Sequence, residues 1–144
     1  MKKTLCLLLA LLLAAGLSLP ALAEDLPALQ LSVEGGSLTL TLEDNSAARS
    51  ILSQLPMTLT FEDYNGTEKI AYPPEELDLS DAPDSCDPDV GSLCYYIPWG
   101  NLCFFYQDFR ASSSLIPLGQ VESGTEFLER LDLASSVTAE TANN

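Results

Sequence analysis

Apolar and polar positions alternate along this chain in short bursts separated by turn residues. Leu29-Gln30-Leu31-Ser32-Val33-Glu34 alternates as a half-buried strand does, and Ser37-Leu38-Thr39-Leu40-Thr41-Leu42 repeats the pattern. Between them, Gly35-Gly36 is free to take positive φ, so the two bursts read as a hairpin. Met57–Glu62 alternates again, Asn65-Gly66 is a turn signal, and Glu68–Tyr72 reads as the return strand. Leu93–Ile97 and Leu102–Asp108 flank the turn Pro98-Trp99-Gly100-Asn101. The second of this pair is almost without polar residues, as a strand buried on both faces would be. Leu115–Val121 is the last strand, with Pro117 pointing to an edge or a bulge.

Two segments follow a helical period. Asp44 or Asn45 can cap a helix over Ser46–Leu55, whose apolar stripe is Ala47, Ala48, Ile51, Leu52 and Leu55 and which Pro56 ends. Ser123-Gly124-Thr125-Glu126 has the capping-box pattern and opens a short helix carrying Phe127, Leu128 and Leu131. Pro73–Asp89 holds Pro73, Pro74, Pro83 and Pro88 among many acids and reads as a long surface loop. From Ala134 onward Val137 is the one large apolar residue, so residues 132–144 are expected to be a disordered tail. Short strands at hairpin spacing with two short helices predict an all-β domain over residues 29–131. The expected form is an antiparallel barrel or sandwich with a helix over each open end.

The N-terminus follows a different pattern. Lys2 and Lys3 precede an uncharged apolar run from Thr4 to Leu19, then Pro20, then Ala21-Leu22-Ala23. This is the order of a secretory signal peptide, with cleavage expected before Glu24 and a short leader over residues 24–28. The alternative is an uncleaved anchor, since Leu5 to Ala23 is close to the ~20 residues that span a bilayer. Pro20 and the small residues at the cleavage site argue against it. The chain is therefore expected to be exported, secreted or periplasmic, and not stably inserted in a membrane once cut.

Removing residues 1–23 changes the composition. The whole chain of 144 residues carries six Lys and Arg against 21 Asp and Glu, a formal charge of −15. Losing Lys2 and Lys3 makes that −17. Such a surface repels phosphate backbones and anionic headgroups, which excludes nucleic-acid partners and favours a soluble monomer. Cys6 leaves with the signal, and Cys86, Cys94 and Cys103 remain, an odd number in an oxidising compartment.

Catalytic options are few. There is no histidine, which excludes Ser-His-Asp and Cys-His arrangements and His-containing zinc sites. No CxxC and no glycine-rich phosphate loop occurs, so no metal and no cofactor is expected. The spacing of Asp78, Asp81, Asp84, Asp87 and Asp89 does not match a calcium loop. With an even-numbered turn between them, Cys94 and Cys103 share one face of their hairpin as small buried residues. Cys86 is then an exposed thiol, or it pairs with one of the other two. The dense feature is aromatic: Tyr95, Tyr96, Trp99, Phe104, Phe105, Tyr106 and Phe109, followed by Arg110. Alternate members should fill the core. Trp99, Tyr106 and Arg110 are left to line a small apolar pocket with one cation.

Leu42-Glu43-Asp44-Asn45-Ser46-Ala47-Ala48 followed by Leu55-Pro56-Met57-Thr58-Leu59-Thr60-Phe61 resembles the front half of the bacterial cyclophilin-like proteins. Gly91 to Tyr95, Pro98-Trp99-Gly100-Asn101-Leu102-Cys103-Phe104-Phe105-Tyr106 and Leu118-Gly119-Gln120-Val121 resemble the second half. The resemblance implies a closed barrel of about eight strands with a helix at each end. It implies no activity, because this branch has none established. True cyclophilins are prolyl isomerases with a phenylalanine-histidine-arginine stretch, and this chain has neither that stretch nor any histidine. The expected function is binding of a small molecule or peptide in the aromatic pocket, without catalytic residues. The alternative is a peptidyl-prolyl isomerase that uses Arg110.

Overall fold

The computed structural model describes residues 25–143. The signal peptide expected at residues 1–23 lies outside them. The elements run β1 (Leu29–Val33), β2 (Gly36–Leu42), α1 (Ser46–Ser53), β3 (Met57–Leu59), β4 (Glu62–Tyr64) and β5 (Glu68–Ala71). They continue with β6 (Ser92–Tyr96), β7 (Asn101–Phe105), β8 (Leu115–Ser123), a 3₁₀ helix (Thr125–Leu133) and β9 (Val137–Thr141). All nine strands form one sheet in the order β3-β9-β1-β2-β8-β6-β7-β5-β4, and the neighbours pair antiparallel. Among the described residues no helix is long and apolar enough to cross a membrane.

The sheet is a curled half-barrel, open where a closed barrel was expected. No ladder joins its two edge strands, β3 and β4. The reason lies in the chain. The stretch read as one strand over Met57–Glu62 bends at Thr60-Phe61. Its first part pairs with β9 and its second with β5. Both edges are therefore consecutive pieces of one segment, which cannot ladder to itself. Each is three residues long.

The inner face carries the main core. Leu29 and Leu31 of β1, Leu38 and Leu40 of β2, Leu93 and Tyr95 of β6, and Leu102 and Phe104 of β7 all point into it. This is the period-two alternation of the sequence made physical. Each such leucine contributes about 1.5–3 kcal/mol by leaving water. Ala47 and Ile51 of α1 and Leu128 and Leu131 of the 3₁₀ helix join the same core.

Asn45 proves to be the cap of α1. Its side chain accepts from the backbone N–H of Ala48 at 2.9 Å and donates to the carbonyl of Pro117 at 2.9 Å. Asp81, from the acidic loop, accepts from the N–H of Ser46 and pairs with Arg49. The loop is thus pinned to the helix, and Leu77 within it is buried. Pro117 marks a bulge and not an edge. β8 lies between β2 and β6, and its register against β6 shifts there.

The capping box does not form. Ser123 is still paired in β8, opposite Thr39, and Gly124 enters the helix with φ +82° and no side-chain cap. A Cβ on Gly124 would lie 2.1 Å from the carbonyl oxygen of Ser37. The close approach of two backbones, and not a cap, sets that corner. The buried residues Leu128 and Leu131 are three apart, which suits a 3₁₀ turn.

The disordered tail is overturned as well. Val137–Thr141 is β9, laddered to β1 on one side and β3 on the other. Val137 and Ala139 are fully buried while Thr138 is exposed. Val137→Ala should cost about 2 kcal/mol in urea unfolding, where an unpaired tail would give no change. Asn45→Ala should cost about 1–2 kcal/mol in the same measurement, from the lost cap and the orphaned Pro117 carbonyl.

Candidate functional site

The outer face of β5-β7-β6-β8 is also covered. Ile70, Cys94, Cys103, Phe105 and Leu115 form a second, smaller core there, with Cys86, Tyr96 and Phe109 packed partly against it. The cover is the chain after β7 together with the end of the acidic loop. Phe109 donates its N–H to the carbonyl of Pro88 at 3.2 Å, and Ser112 and Cys86 exchange two backbone hydrogen bonds at 2.9 and 3.2 Å. The expectation of a strand buried on both faces holds for β7, all five residues of which are buried.

Between sheet and cover lies a cavity of about 420 Å³. Its walls are Tyr64, Tyr96, Trp99, Phe105, Phe109 and Arg110, and its floor includes Glu68, Ile70, Asn101 and Cys103. Phe105 and Phe109 stack with centroids 5.5 Å apart, and the Arg110 guanidinium sits 4.8 Å from the Phe109 centroid. Trp99 is half exposed and stands edge-on to both Tyr64 and Tyr96 at 5.4 Å. The result is an aromatic box with a cation at its rim.

Two polar groups of the floor are incompletely satisfied among the described residues. Asn101 is 1 % exposed. Its amide nitrogen donates to the carbonyl of Leu102 at 3.1 Å and to the Cys103 sulfur at 3.4 Å, while its Oδ1 has no partner. The Oε2 of Glu68 is likewise buried and unpartnered. Burial pushes the Glu68 carboxyl above its ordinary value, opposed by the Cys103 thiol. The Cys103 thiol is itself pushed up, by burial first and then by the charge of Glu68. Two buried acceptors and a neutral thiol therefore lie in the residues that form the cavity floor.

Two of the three expected pocket residues meet here. Trp99 and Arg110 line the cavity, but Tyr106 does not. β7 ends at Phe105, which faces outward, so the next residue turns inward. The Tyr106 hydroxyl donates to Asp63 at 2.6 Å, and Lys69 Nζ lies 4.9 Å from its ring. Lys69, 5 % exposed, bridges Asp63 and Asp132 at 2.9 Å each. The Tyr106 hydroxyl and Lys69 hold the Asp63 carboxyl below its usual range. Burial would lower Lys69, but its bonds to Asp132 and Asp63 outweigh it and raise the ammonium. This cluster is a tie between β4-β5 and the 3₁₀ helix.

The thiols fall into a row. Cys94 and Cys103 are direct partners across β6-β7, both buried. Cys86 is half-buried, and its sulfur lies 3.2 Å from that of Cys94. The contact lowers Cys86 and raises Cys94.

Glu68 and Asn101 escape a sequence reading for physical reasons. Glu68 follows a turn at the start of a strand, where an acid ordinarily meets water. Asn101 sits where a turn ends, and asparagine there reads as turn chemistry. Only the cover over the outer face turns both into site residues. Phe105 and Phe109 carried a signal in the aromatic run, but nothing in it told which face each would take.

Comparison with known proteins bears on the fold. The chain matches the model of the cyclophilin-like family over residues 31–141. A similar solved structure is the solution structure of the hypothetical protein AF2241 from Archaeoglobus fulgidus. The TM-score is 0.64 at 19 % identity, covering 83 % of this chain and 98 % of that one. No curated protein matches the chain. The family match begins within β1 and ends with β9, so it takes in the whole curled sheet: this chain belongs to the cyclophilin-like family.

Proposed function

We propose that the mature domain works outside the cytoplasm as a binding module for a small molecule or peptide that carries hydrogen-bond donors, such as an amine. The observation that carries this reading is a pair of buried acceptors with no hydrogen-bond partner, Glu68 Oε2 and Asn101 Oδ1, on residues that line the aromatic cavity. Leaving such groups unpaired costs about 1–3 kcal/mol each, more when charged. Apolar residues there would make a more stable protein. Groups that weaken a fold beside a cavity fit a site that a ligand completes by a small rearrangement. Phe105, Phe109 and Trp99 supply apolar walls for the ligand body, and Arg110 at the rim suits a carbonyl or carboxylate on its far end. Export is supported by the order of charge, apolar run and small residues over residues 1–23.

Trp99 is the one tryptophan of the chain, so its fluorescence reports on the cavity directly. Titration with 2-phenylethylamine should change that emission saturably, and 3-phenylpropionate should not. Glu68→Gln should weaken the amine at least about tenfold. If the acid binds as well as the amine, the donor-seeking site is wrong.

Glu68 also predicts a pH dependence. Its folded-state value is raised, so its contribution to stability is full below the ordinary carboxyl range and is lost as pH rises through the raised value. Glu68→Gln should therefore be more stable than the parent at pH 7, and the difference should vanish near pH 4. Amine binding should run the opposite way, strengthening as pH rises through the same value.

A further inference from the structure

We propose that Cys86 and Cys94 form a disulfide that staples the cover of the cavity to the sheet and leaves Cys103 as the free thiol of its floor. Three observations place the bond there. The Cys86 and Cys94 sulfurs are already 3.2 Å apart. The other combination within reach, Cys94 with Cys103, is a directly opposed cross-strand pair. Such pairs hold their Cβ atoms about 4.5–5.5 Å apart, against about 3.8 Å in a disulfide. Finally, Cys86 and Cys94 line a separate depression of about 300 Å³ beside Ser85 and Asp87, through which a reagent can arrive. Cys103 does not line that depression.

The consequence follows from the backbone. Cys86 exchanges both hydrogen bonds of an isolated bridge with Ser112, and Ser112 lines the main cavity. A bond from Cys86 to β6 therefore fixes the Ser112 wall to the sheet beneath it. Without it, the wall is held by backbone hydrogen bonds and the stacking of Phe109 on Phe105.

The chemistry balances with a small disulfide as oxidant. The more exposed Cys86, as thiolate, attacks one sulfur of the oxidant and expels a thiolate. Cys94, having lost its proton, then attacks the Cys86 sulfur and expels the second thiol. The protein loses two electrons and two protons, and the oxidant gains them as two thiols. The inference rests on the export reading only for the natural source of that oxidant. The test supplies its own, so the two can fail separately.

The purified protein is equilibrated with glutathione disulfide, acid-quenched, unfolded and alkylated. It is then reduced and alkylated with a second label. Labels are located by mass spectrometry on the segment from Ile70 to Arg110, which trypsin releases whole. Cys103 should carry the first label, and Cys86 and Cys94 the second. Cys103→Ser should keep the bond, and Cys86→Ser should abolish it. Reducing the parent should lower Tm by roughly 5–10 °C, while Cys86→Ser should show no such response to reductant. First label on Cys86, or second label on Cys103, overturns the proposal. So does a Tm that reductant leaves unchanged.

Discussion

Burial of β7 on both faces is the constraint from which the rest of the site follows. Leu102 and Phe104 are held by the main core, while Asn101, Cys103 and Phe105 are held under the chain that returns after the strand. A sheet face covered this way loses its water. Polar groups that face the cover then change character. Glu68 rises in pKa, Asn101 keeps an orphan oxygen, and the Cys103 thiol becomes a neutral, buried group. None of this needs special residues. It needs ordinary ones placed on a strand whose outer side is roofed. The roof in turn depends on a few bonds: Cys86 with Ser112, Phe109 with Pro88, Ile97 with Ser114.

The opening of the sheet is a second consequence of chain geometry. Because β3 and β4 are successive pieces of one segment, the curl brings both edges to one bend. Phe61 at that bend is buried, its ring centroid 6.2 Å from that of Phe104. The bend is therefore tied to the inner side of β7. Edges of three residues offer little template for another chain to pair with. Beyond the bend, β4 and β5 are secured by Lys69 between Asp63 and Asp132. Of the three only Lys69 is buried, so its ammonium depends on these two partners, and the cluster specifies geometry more than it adds stability.

Much of this fold was legible in the sequence, and the failures share a cause. The β1-β2 hairpin, α1 with its Asn45 cap, and the β6-β7 pair are local. Their signals, alternation, turn glycines and a capping side chain, act within a dozen residues. The bend at Thr60-Phe61 and the pairing of β9 are decided by partners far along the chain. Val137-Thr138-Ala139 does alternate, but Ala139 brings only a methyl group to the core although it is fully buried. A reading that weighs side-chain size takes so small a residue for the absence of a core position. Trp99 and Arg110 line one cavity, and the clustering of aromatics in sequence there is the signal that points to them. Tyr106 was misplaced because one residue of strand length decides its face. Glu68 and Asn101 come to line the cavity only through a roof assembled from two distant loops.

Charge links the composition to the site at two ranges. The chain is strongly acidic, and an acidic surface raises the local concentration of cations. Salt screens that attraction beyond roughly 8 Å at physiological strength, so it acts on the rate of encounter more than on affinity. Glu68 acts differently. Its Oε2 is buried, where screening is weaker and the dielectric lower than at the surface. A ligand ammonium arriving there would meet a group whose ionisation the fold opposes, and each charge would favour the other. Arg110 does not cancel this, because its guanidinium is parked on Phe109 at the rim. On the proposed reading, the long-range field and the Glu68 carboxylate would favour the same sign of charge in a ligand, while the arginine would orient its far end.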